Sequence, residues 1–88
     1  MRIKNVTVLC EQGLHLRVAS KVAKIAQRSG GSVHISCEGC PQADACSVLE
    51  LLTLGAAAGT PLEIIAEGPD EELTLQELAT VFEAGGGI

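Results

Sequence analysis

Apolar residues in this chain recur at every second position in some stretches and at every third or fourth in others, and Gly or Pro stands near the changes of period. Ile3 to Cys10 alternates, with Val6, Val8 and Cys10 on one face and Asn5 and Thr7 on the other, which predicts a strand. Glu11-Gln12-Gly13 breaks it. From Leu16 to about Ser29 the apolar positions Val18, Ala19, Val22, Ile25 and Ala26 form one helical stripe. Lys21, Lys24 and Arg28 lie off that stripe, and Gly30-Gly31 ends the helix. Ser32 to Cys37 alternates again, with Val33, Ile35 and Cys37 opposite His34 and Ser36. Glu38-Gly39 predicts a hairpin turn, and Cys40 to Ala45 the returning strand, confined to an edge by Pro41. Ser47 to about Leu54 predicts a short helix. Pro61 opens a last strand that buries Leu62, Ile64 and Ala66. After the turn Gly68-Pro69-Asp70, with Asp70 as a cap, comes a helix with a stripe of Leu75, Leu78, Ala79 and Phe82, ended by Gly85-Gly86-Gly87. The order βαββαβα predicts an α+β fold, four strands in one antiparallel sheet with three helices on one face. The 88 residues suffice for one domain, residues 1–88, with no linker and no internal repeat.

Charge narrows the function. The net charge is −5, yet all six Lys and Arg lie between Arg2 and Arg28. An anionic ligand is therefore sought in the N-terminal third. A nucleic acid is excluded as main partner, because the chain is acidic and has a single Phe and no Trp or Tyr on which bases could stack. No signal peptide and no apolar run of membrane-spanning length is present, so the expected location is the cytoplasm, without membrane insertion and with the cysteines mostly reduced.

The segment Gly13-Leu14-His15-Leu16-Arg17 joins the first strand to the first helix. The opening turn of a helix carries unpaired N–H groups and partial positive charge, and holds an anion well. His15 falls at the cap of that turn. The backbone of Leu16 and Arg17 supplies N–H donors, and Arg17 can bring its guanidinium to the same place. An imidazole there can attack phosphorus and hold the phosphoryl group as a phosphohistidine, which retains a high transfer potential. That is carrier chemistry rather than that of a stand-alone enzyme, and it needs no cofactor.

The same segment resembles the active-site loop of the HPr family, the phosphocarriers of the bacterial phosphoenolpyruvate:sugar phosphotransferase system (PTS). The likeness continues through Ala45-Cys46-Ser47-Val48-Leu49, Thr53-Leu54-Gly55, Gly59-Thr60 and Ala66-Glu67-Gly68-Pro69-Asp70-Glu71-Glu72, and so covers essentially the whole chain. It implies the HPr-like open-faced β-sandwich. It implies that His15 accepts a phosphoryl group on its δ nitrogen from enzyme I, charged by phosphoenolpyruvate. Arg17 would steady the group, and a sugar-specific enzyme IIA or a regulatory protein would receive it. Ser47 is similar to the serine modified by HPr kinase/phosphorylase, although its other reading is a helix N-cap. Three positions depart from the family pattern: Leu16 and Val18 stand where Ala and Pro are usual, and Glu50 where Lys or Gly is common.

A helix of about two turns cannot bury Val48, Leu49, Leu51, Leu52 and Leu54 together, so part of it is expected to be exposed beside the His15 loop. The expected docking surface comprises Leu16, Ser20, Lys21, Lys24, Val48, Leu49 and Leu52, with the lysines attracting an acidic partner. A monomer is expected for a shuttle that meets several partners. Cys37-Glu38-Gly39-Cys40 and Cys46 leave three readings open: small apolar fillers, a reversible Cys37–Cys40 disulfide, or a metal site, for which Cys37, Cys40 and Cys46 are weak candidates because three local thiols are incomplete. Two other functions fit the same sequence. One is a regulatory binding module of the same fold, and the other a metal- or redox-responsive variant using these cysteines.

Overall fold

A computed structural model describes residues 1–9, 13–38 and 42–83. The elements are β1 (Arg2–Thr7), α1 (Leu16–Arg28), β2 (Ser32–Cys37), β3 (Ala43–Asp44), α2 (Val48–Thr53), β4 (Pro61–Glu67) and α3 (Glu71–Glu83). They follow the expected order. All strand pairs are antiparallel, in the order β1-β4-β2-β3. The last strand is thus inserted between the first two, so β1 and β2 run in the same direction. Such a pair needs a long crossover rather than a tight turn, and α1 supplies it.

One face of the sheet carries the core. Leu62 pairs with Val6 on one side and Cys37 on the other, and Ile64 pairs with Ile35. These meet Val18, Val22, Leu51, Leu75, Leu78 and Phe82 from the three helices, all buried. Because the pleat alternates, Arg2 and Lys4 share the inward phase of Val6, yet both stay exposed. β1 is an edge strand, so their long side chains reach past it to water. Arg2 meets Glu72 of α3 at 3.5 Å.

Both ends of α1 are punctuated as its sequence predicts. At its C-terminus Ser29 donates its hydroxyl to the Ala26 carbonyl at 2.7 Å, and Gly30 follows with φ +75. α3 begins at Glu71, and Asp70 accepts the Thr74 N–H at 2.9 Å through its main-chain carbonyl. Two expectations are corrected. The first strand ends at Thr7 rather than Cys10, although Val8 still donates to the Thr60 carbonyl at 2.9 Å. Among the described residues the returning strand is Ala43–Asp44, shorter than the expected span of residues 40–45. The predicted hairpin turn at Gly39, together with Cys10, Cys40, Pro41 and the triple glycine at 85–87, lies outside the described residues. Among the described residues no helix is long and apolar enough to cross a membrane.

Candidate functional site

His15 is the N-cap of α1. Its backbone is extended (φ −103, ψ −179), and its carbonyl accepts the first helical bond, from Ala19 N–H at 2.9 Å. The Leu16, Arg17 and Val18 N–H groups therefore precede the helical ladder. Arg17 N–H donates to His15 Nδ1 at 3.3 Å. An imidazole nitrogen that accepts a hydrogen bond carries no proton, so the ring in this arrangement holds its hydrogen on Nε2 and turns the Nδ1 lone pair to the Arg17 N–H. The Leu16 and Val18 N–H groups meet no acceptor among the described residues. Three main-chain donors and one nucleophilic nitrogen thus converge on the positive end of a helix of 13 residues.

The loop in front of His15 is pinned from outside. Leu14 N–H donates to the Ala56 carbonyl at 2.8 Å, and His15 N–H to the Gly13 carbonyl at 3.1 Å. Gly13 has φ +74, where a side chain is strained. Nothing local in the sequence announces the Ala56 carbonyl, because a main-chain acceptor reached across 42 positions leaves no compositional trace.

Arg17, Lys21 and Lys24 are exposed and form no ion pair among the described residues, whereas Arg2 and Arg28 face Glu72 and Glu77. The cationic groups on α1 nearest the cap are the uncommitted ones. The expected apolar surface is present in part. Leu16 and Leu49 are 62% and 77% exposed, and Ser20, Val48 and Leu52 are half-buried. Leu51 and Leu54 turn into the core. α2 packs on α1, so both contribute to one side of the molecule.

Ser47 is the N-cap of α2, accepting Glu50 N–H on its Oγ at 3.2 Å. The structure adds a role for Glu50: its Oε1 accepts Asp44 N–H at 3.0 Å and fastens α2 to β3. Asp44 in turn accepts Cys46 N–H on Oδ1 at 2.9 Å. The cysteines divide. Cys37 is disulfide-bonded, which corrects the expectation that the cysteines are mostly reduced and, of the three readings left open for it, leaves no thiol as a filler and no thiolate for a metal in this state. Cys46 is a free thiol, pushed above its ordinary pKa by burial first and then by the neighbouring Asp44 carboxylate and its hydrogen bond. Cys40 lies outside the described residues, and no metal-ligating cluster is found among those described.

Comparison with known proteins agrees with this architecture. Residues 3–84 match the family model described as PTS HPr component phosphorylation site. The phosphocarrier protein HPr of Borreliella burgdorferi is 35% identical over 81 residues, covering 92% of this chain and 93% of its own. The phosphocarrier protein NPr of Escherichia coli K12 is 32% identical over 82 residues, covering 93% and 91%. The crystal structure of HPr from Bacillus anthracis superposes with a TM-score of 0.86 at 28% identity, over 92% of this chain and 95% of that one. With an open site of this geometry and a match over nearly its whole length, the chain belongs to the HPr family of PTS phosphocarriers.

Proposed function

We propose that His15 is the phosphoryl acceptor, charged by enzyme I and discharged to an enzyme IIA, in the cytoplasm and as a monomer. The observation that carries this reading is the Nδ1 lone pair held at the first turn of α1, against the Arg17 amide. In the transfer that lone pair forms the N–P bond, while the bond from phosphorus to the donor breaks and its electron pair leaves with the donor group. The proton on Nε2 stays in place. The Arg17 N–H, released from Nδ1, turns to a phosphoryl oxygen, and the Leu16 and Val18 N–H groups supply further donors. The guanidinium of Arg17, free of any carboxylate among the described residues, adds the fork that suits a phosphoryl group.

The docking surface proposed for these partners is Leu16, Ser20, Lys21, Lys24, Val48, Leu49 and Leu52. An acidic partner suits its two lysines. Relatives named HPr and NPr match at comparable identity, so the acceptor is proposed as a class and not as one sugar system. Ser47 is proposed as a helix cap before a kinase target, since Asp44 and Glu50 already bring two carboxylates to its turn.

The test is incubation with enzyme I and phosphoenolpyruvate, followed by intact-mass analysis. The chain gains one acid-labile phosphate, and His15→Ala gains none while keeping its helical circular dichroism. A gain of phosphate that survives in His15→Ala refutes the assignment.

A further inference from the structure

We infer that the turn at residues 54–57 is a positioning element for His15, acting through the Ala56 carbonyl and the space that Gly13 leaves for it. This rests on the reading of His15 as phosphoryl acceptor. Gly13, Leu14 and Ala56 are all buried, so the contact between the two loops is closed to water. Among the described residues it is tied by a short bond, Leu14 N–H to Ala56 carbonyl at 2.8 Å. A Cβ built on Gly13 would stand 2.5 Å from the Ala56 carbonyl oxygen and 3.0 Å from Ala57 Cα, both main-chain atoms that cannot swing aside. The turn itself continues α2: Gly55 N–H donates to the Leu52 carbonyl at 3.2 Å. From there the path runs through Leu14 and Gly13 to His15, whose N–H donates to the Gly13 carbonyl and whose side chain caps α1. Main-chain contacts thus set the offset between the imidazole and α2, on which Leu49 is exposed. A donor that grips α2 meets Nδ1 at a fixed place. In-line transfer is sensitive to such offsets, and a displacement of about 1 Å can slow a reaction about 100-fold.

Gly30 provides a matched control. Its φ is +75 against +74 at Gly13, so an alanine meets the same backbone strain, yet its nearest neighbour is Pro69 Cγ at 3.9 Å and it lies at the other end of α1. The experiment measures kcat and KM of enzyme I for the full chain, for Gly13→Ala and for Gly30→Ala. Gly13→Ala is expected to lower kcat about 10- to 100-fold with KM within about twofold, while Gly30→Ala leaves both within about twofold. Equal kcat in the two variants overturns the inference, as does a rise in KM alone, which would make the contact part of docking. If Gly13→Ala fails to fold, amide exchange of the wild type decides: protection of Leu14 N–H by roughly 100-fold or more supports the clamp, and open-loop exchange refutes it. A folded wild type that gains no phosphate sinks the carrier reading as well, whereas an active wild type with a fully active Gly13→Ala sinks this inference alone.

Discussion

At His15 one hydrogen bond does two things in turn. The 3.3 Å bond from the Arg17 amide orients the ring in the resting protein, and in the proposed transfer the same N–H passes to a phosphoryl oxygen once Nδ1 is taken. Val18 acts at the same scale. The HPr pattern has Pro there, with no N–H, whereas Val18 leaves one main-chain donor unpaired among the described residues while its side chain is fully buried. Its loss of ring rigidity and its gain of a donor oppose each other. Cys46 offers a titration to follow. Burial, then the Asp44 charge, then the Asp44 hydrogen bond hold its proton, so its pKa in the folded chain lies above the ordinary thiol value of 9.0. The associated stability is whole below that value and fades as the pH rises through the folded pKa. Alkylation of Cys46 by iodoacetamide, followed by mass spectrometry, is expected to reach half its maximal rate above pH 9.0. Asp44→Asn should move the midpoint down without removing the shift, because burial, the largest cause, remains. A wild-type midpoint at or below the ordinary thiol value contradicts this account.

Among the elements, α2 depends most on its ends. It has only six residues, too few to be stable by propensity, and its first turn is held by the ring of bonds among Asp44, Cys46, Ser47 and Glu50. Ser47→Ala removes the cap and should cost about 1 kcal/mol. Glu50→Ala should cost about as much by freeing the buttress to β3. Because the two residues share a turn, the double variant should fall short of the sum by about 0.5 kcal/mol or more, read from urea midpoints. Strict additivity would show that the cap and the buttress act independently. A serine at the start of an apolar run is a local cap signal, and it was legible in the sequence. The reach of Glu50 to Asp44 was not, since it requires β3 to stop after two residues beside the helix. Seen from spacing alone, Glu50 is a charge on a helix surface. Similarly, alternation located β2 and β4 to the residue or nearly so, but overran β1 and β3, because Val8 and Ala45 keep the buried phase and still bond to the Thr60 and Val33 carbonyls beyond the strands proper.

For the molecule as a whole, a small core built from aliphatic side chains leaves little margin. Phe82, the chain's single aromatic residue, is fully buried, and its carbonyl accepts Leu9 N–H at 2.9 Å, so α3 and the segment after β1 are joined at that point. Phe82→Ala should cost about 3–5 kcal/mol, a large part of the roughly 5–15 kcal/mol that keeps a domain folded. Denaturant unfolding measures it, and a loss below about 1 kcal/mol would mean that the core refills the space. Such a loss would also reach the site, because α1, which carries His15, packs against α3.

The order of helices and strands, their buried faces, and the cap position of His15 were determined by the sequence by itself, because hydrophobic period, glycine and capping chemistry act over a few residues. Tertiary structure alone decided that β4 lies between β1 and β2, that Leu49 is exposed while Leu51 is buried, and that the Ala56 carbonyl holds the His15 loop. Each of these follows from which distant segments meet when one face of the sheet is covered. Main-chain pairing across such distances draws on groups every residue possesses, and so leaves no mark in the order of side chains.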